Sequence, residues 1–183
     1  MEKIIPEEIK RVRQMKLDDI LSIEKWTELE KEINNTFGVC ASVYDTDSKK
    51  ITKFKKWPNR LCPVIQADGK SQSFICAVAN LNLGMQARQT KKPVIAECDA
   101  GLLKLVVPVF VDDEFLGMLS GCGILLDDSS VETYLITKFT GIDEEEIASL
   151  SNDINKMERV DVELLAKYLE TRVEGIVEDF INN

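Results

Sequence analysis

Residues 61–126 constrain the fold most, because they carry four of the five cysteines, Cys62, Cys76, Cys98 and Cys122, among the longest apolar runs of the chain. Apolar periodicity and turn residues place Cys62 and Cys76 on two helical segments. Cys98 then ends a short strand just before the turn-like Asp99-Ala100-Gly101, and Cys122 sits between Gly121 and Gly123 late in a following strand. Thiols this far apart in sequence meet only if the fold brings them together. The spacing contains no Cys-X-X-Cys pair of the kind that zinc ribbons and ferredoxins use. Free cysteine also serves as a small buried hydrophobe. Cys40 lies outside this stretch, in an expected first strand, and reads as core.

A chain of 183 residues with 44% hydrophobic and 30% charged residues has the make-up of an ordinary globular domain. The net charge of -9 leaves no basic face for nucleic acid or an anionic membrane surface. The longest apolar stretch, residues 102–111, is broken by Lys104 and Pro108 and is far short of the roughly 20 residues of a membrane span. Acidic residues occupy the start, where a signal peptide has its apolar core, so a cytoplasmic, reducing environment is expected. No histidine is present, which removes the commonest general base, the commonest metal ligand and the usual phosphoacceptor of a histidine kinase.

In chain order, residues 6–15 read as a short charged helix within a leader covering residues 1–16. Ser22 caps a second helix that carries Ile23, Trp26, Leu29, Ile33 and Phe37 on one face and stops at Gly38. Residues 39–44 and 50–54 read as a β-hairpin around Asp45-Thr46-Asp47-Ser48. Helices follow over residues 60–67 and 71–89, then strands over 94–97, 102–111 and 114–126. Asp127-Asp128-Ser129-Ser130 offers caps for a helix ending at Gly141, residues 144–150 form another, and an amphipathic helix from Val160 to the C-terminus closes the chain. The expected fold is α/β of the α+β kind, a PAS-like antiparallel sheet of about five strands with flanking helices. Residues 17–126 form the domain proper and residues 127–183 a helical extension. Lys104 is expected to snorkel at a strand edge.

Several motifs sharpen this reading. Leu17-Asp18-Asp19-Ile20-Leu21-Ser22-Ile23, Leu61-Cys62, Cys76, the run from Lys92 through Cys98-Asp99-Ala100-Gly101-Leu102, Pro108-Val109 and Leu116-Gly117-Met118-Leu119-Ser120-Gly121 together resemble the PocR-type sensory domain. The resemblance spans residues 17–126. It implies a non-enzymatic, ligand-sensing module of signal transduction, attached to or bound by an output protein, with small hydrocarbon derivatives as ligands. Two departures stand out. The family's Cys-His-Ala-Gly reads Cys98-Asp99-Ala100-Gly101, and a glutamine common after the late glycine is replaced by Cys122. That replacement raises the family-aligned thiols from three to four.

Four thiolates suit an iron-sulfur cluster or zinc, since soft ligands select those ions, so Cys62, Cys76, Cys98 and Cys122 are the candidate metal ligands of a redox or gas sensor. If the thiols only line an apolar pocket, a small organic ligand is expected instead, with Asp99 and Trp57 as the candidate contacts. Asp99 has the commoner alternative role of bonding the backbone within its turn, and Trp26 and Trp57 have that of simple packing. A thiol-dependent redox enzyme using Cys98 or Cys122 is a further alternative, with Lys or a carboxylate as base. The wide apolar face of the C-terminal helix is expected to pair two copies as a homodimer.

Overall fold

The computed structural model describes residues 14–182. The expected leader helix therefore lies almost wholly outside the described residues, and Gln14, Met15 and Lys16 are not helical. After a single turn, α1 (Leu17–Ile20), comes α2 (Ile23–Phe37). Ser22 caps it by accepting from the Lys25 amide at 3.4 Å, and Gly38 ends it at φ 66°. Trp26, Leu29 and Ile33 face the core, and the Trp26 indole donates to the Leu17 carbonyl at 3.0 Å. This helix matches its sequence pattern closely.

Strand β1 (Cys40–Asp45) follows, then α3 (Leu61–Ala67) and the short α4 (Gly69–Ser71). α4 runs into a π-helical segment, Gln72–Ala77, and on into α5 (Val78–Thr90). β2 (Val94–Glu97), β3 (Leu103–Val111) and β4 (Glu114–Leu126) come next. The C-terminal part holds α6 (Thr133–Thr140), α7 (Glu144–Ser151), the two-residue β5 (Lys156–Met157) and α8 (Arg159–Ile181). The sheet runs β1-β4-β3-β2, antiparallel throughout, and β5 adds to the end of β4 in parallel.

The fifth strand is thus not the expected one. Residues 50–54 make a single bridge, Tyr44 to Lys50, and then leave the ladder. The side chains explain the departure: the Thr52 hydroxyl donates to the buried Glu30 carboxylate at 2.7 Å, and the Lys50 ammonium donates to the Phe54 carbonyl. The Thr52 bond ties this segment to α2. The capping expected from Asp127 to Ser130 also differs, because Asp127 and Asp128 form a turn, Ser129 and Ser130 are irregular, and α6 starts at Thr133. Gly141 does end that helix, at φ 74°.

Alternation along the strands divides the sheet into two unlike faces. On one, Val43, Leu105, Val107, Val109 and Leu119 are buried against α2 and α8. The apolar stripe of α8, Val162, Leu165, Leu169 and Val173, is spent in this same core. Those four side chains are therefore not free to pair two copies. The exposed large apolar side chains include Val160, Leu164 and Ile181 of α8 itself, and Phe74, Val78, Leu81 and Met85 in a run along the π segment and α5. The other sheet face is covered by α3, the π segment and α5. Lys104 lies on it, in an interior strand and only 4% exposed, so it does not snorkel at an edge.

Candidate ligand cavity

Strand register sets the centre of the second face. Cys40 on β1 stands opposite Cys122 on β4, and Cys122 stands opposite Lys104 on β3, so the three form a row across neighbouring strands. Two residues along, Ser42 pairs with Ser120 and Tyr44 follows beyond. Side chains two apart on a strand share a face, so this surface is rich in thiols and hydroxyls around one ammonium.

Over this surface lies a cavity of about 500 Å³. All five cysteines line it, with Lys104, Tyr44, Ser42, Asn80 and Gln66 as polar neighbours and Ile65, Ile75 and Leu102 as apolar wall. Cys76 comes from the π segment, whose wider turns supply several lining residues. Such segments interrupt α-helices at functional sites more often than chance would place them. A second hollow of about 300 Å³ lies on the opposite sheet face between β3 and α8, and Glu170, Glu174 and Glu178 line it.

Backbone geometry fixes where the cysteines stand. Asn59 is 6% exposed; its amide donates to the Gly123 carbonyl at 2.6 Å and to the Cys62 sulfur at 3.3 Å, while its oxygen accepts from the Cys62 amide at 2.7 Å. It ties the start of α3 to β4. Gly123, at φ 94°, lets that approach happen, since a Cβ there would sit 2.6 Å from Pro58 Cγ. At Cys98 the chain turns tightly: the Gly101 amide donates to the Cys98 carbonyl and the Cys98 amide to the Leu102 carbonyl, both at 2.8 Å. Gly101 has φ 77°, and a Cβ on it would meet the Ser130 carbonyl oxygen at 2.3 Å.

The thiols differ in acidity. The hydrogen bond with Cys40 lowers Cys122 most; against burial, this bond and the nearby Lys104 bring it below the usual thiol range. The same bond, then burial, pushes Cys40 well above the usual thiol range. Burial pushes Cys76 up to about 11 and raises Cys62 and Cys98. For Lys104, burial favours the neutral amine, but Cys122, Tyr44, Cys98 and Cys76 outweigh it and raise its pKa. Cys122 is thus the most acidic thiol of the cavity, set beside the Lys104 ammonium.

Cys62, Cys76, Cys98 and Cys122 do converge on one cavity, and Trp57 lines it too, under the Lys55 ammonium at 4.8 Å. Asp99 is exposed in its turn and is not among the lining residues. Trp26 is in the other core. Sequence reading missed Cys40, Lys104, Asn80 and Tyr44. The signal for Lys104 was a lone charge in an otherwise apolar strand. Among the described residues no group of three or more Cys, Asp or Glu side chains is close enough to hold a metal ion, and all five cysteines are free thiols.

The architecture is thus an antiparallel sheet with helices closed over a cavity of mixed chemistry. The chain matches the family model described as the sensory domain found in PocR over residues 19–180, and it belongs to that family. The match runs through α6, α7 and α8, well past residue 126 where the motif resemblance ends. No curated protein and no solved structure matches it. Among the described residues no helix is long and apolar enough to cross a membrane.

Proposed function

We propose that this sensory domain acts by taking a small organic molecule into the cavity between the sheet and the π segment. The observation that carries this is Lys104: an ammonium only 4% exposed, in the cavity wall, with no carboxylate partner and no hydrogen bond to the protein among the described residues. A buried charge is costly unless something compensates it, and that open valence is where a ligand gains affinity.

The iron-sulfur or zinc reading has the shared cavity in its favour. Against it, the sulfurs as arranged do not fit one tetrahedral ion, and an ammonium stands among them, which repels a metal cation. Anaerobic purification followed by iron, sulfide and zinc analysis and an absorption spectrum separates the two. The organic-ligand reading expects colourless protein with far less than one metal per chain. One metal or cluster per chain, lost when Cys98 and Cys122 are replaced by Ser, overturns it.

The signal leaves through the helix that forms the cavity wall. Ile75, Cys76 and Asn80 face the cavity, while Phe74, Val78 and Met85 of the same helix stand exposed on its other side. A partner protein or fused output domain reads that side, in the cytoplasm and without chemistry on the ligand.

A further inference from the structure

We propose that the cavity selects organic anions, a carboxylate seated on the Lys104 ammonium with an apolar body lying along Ile65, Ile75 and Leu102. This rests on the cavity being the sensory site and adds the charge class of its ligand.

Three cations line the cavity, and only one is open. Lys50 is taken up by the Phe54 carbonyl and lies 3.8 Å from the Glu30 carboxylate. Lys55 lies over the Trp57 ring and is exposed. Lys104 is buried, and the groups around it are Cys76, Cys98, Cys122 and Tyr44, none of them a carboxylate. Asp47, the acidic residue in the lining, lies 3.9 Å from Lys49 and is exposed. An anion entering the cavity therefore meets an ammonium in low dielectric with no fixed carboxylate beside it. There a charge-assisted hydrogen bond is worth more than at the surface.

A second open polar atom stands nearby. Asn80 is 8% exposed and lines the cavity, and its Oδ1 has no hydrogen-bond partner. Buried polar atoms are almost always paired. A ligand hydroxyl or amide donating to Asn80 would satisfy it. The remaining walls are aliphatic and thiol, which suits a short hydrocarbon or aromatic body rather than a sugar or a nucleotide. The volume of about 500 Å³ is ample for one. The hollow between β3 and α8, with its three glutamates, is the wrong sign for the same ligand.

The test compares acids with their uncharged amides of the same shape, benzoate with benzamide and hexanoate with hexanamide, by calorimetry on the full chain. The expected result is that at least one acid binds about tenfold or more tightly than its amide, the low end of what a charged hydrogen bond contributes. Lys104→Met should bring acid and amide together, and Lys104→Arg should keep part of the preference. The wild-type comparison decides even if Lys104→Met fails to fold. Amides binding as tightly as acids overturn the anion proposal and leave the cavity as a site for neutral molecules. No binding by either acid overturns it, as does an acid preference that survives in folded Lys104→Met.

Discussion

Lys104 and Cys122 face each other across β3 and β4 in the middle of the sheet, an ammonium and a thiol set side by side on the one sheet face that is not filled with aliphatic side chains. The pairing has a chemical consequence. The pKa of Cys122 is lowered, chiefly by its bond with Cys40 and then by Lys104, while burial raises that of Cys76. Iodoacetamide labelling read by peptide mass spectrometry should modify Cys122 first, with a rate that rises at lower pH than that of the other cysteines. Lys104→Met should slow it and move the rise to higher pH. Uniformly slow labelling would contradict this and would also remove the thiol-dependent enzyme reading.

The same shift links folding to pH. A thiol whose folded pKa lies below its unfolded value of about 9 adds stability that is fully present above pH 9 and lost as pH falls from there through the folded value. Replacing Cys122 by Ser should flatten the stability profile between those limits, as measured by urea unfolding. An unchanged slope would count against a Cys122 thiolate in the fold.

Glu30 joins α2 to β1 from a fully buried position, accepting from the Val43 amide at 2.8 Å and the Thr52 hydroxyl at 2.7 Å. Glu30→Ala leaves both donors unpaired and should cost about 2–4 kcal/mol. Glu30→Gln keeps an acceptor and should cost less. Burial, outweighing Thr52, Lys50 and Val43, raises the Glu30 pKa. The favourable contribution of its neutral form is therefore present at low pH and lost as pH rises through the folded value. The Gln variant should gain on the wild type with rising pH, and equal losses for Ala and Gln would contradict this account.

Much of this fold can be read from residue pattern, because local chemistry and tertiary need agree there. The Ser22 cap, the Trp26-Leu29-Ile33 face, the Gly38 stop and the limits of β2 and β4 all follow it. Pattern fails at residues 50–54, where β-branched and aromatic residues read as strand but Thr52 and Lys50 bond elsewhere. The convergence of Cys62, Cys76, Cys98 and Cys122 is expected from their family-aligned positions and not from their spacing. Cys40 joined the cavity through strand register, Cys40 opposite Cys122, and register between distant strands is not written in either strand alone. Likewise, the α8 stripe predicts burial but not against which surface.

Gly101 and Gly141 share a left-handed backbone, at φ 77° and 74°, but a Cβ meets the Ser130 carbonyl oxygen at 2.3 Å in the first and nothing within 4 Å in the second. Gly141→Ala should cost about 1 kcal/mol for the backbone alone. Gly101→Ala should cost clearly more in the same urea titration, since the turn after Cys98 must open. Equal costs would show that the turn yields without penalty.

The central claim is that ligand enters between the sheet and the π segment, and amide chemical-shift mapping on nitrogen-15-labelled protein tests it most directly. Titrated with benzoate or hexanoate, the protein should show saturable shifts centred on Cys76, Asn80, Cys98, Lys104 and Cys122, with little change at Val107, Phe110, Val173 and Val177. Shifts centred on that second group, or none on the first at saturation, would contradict the account.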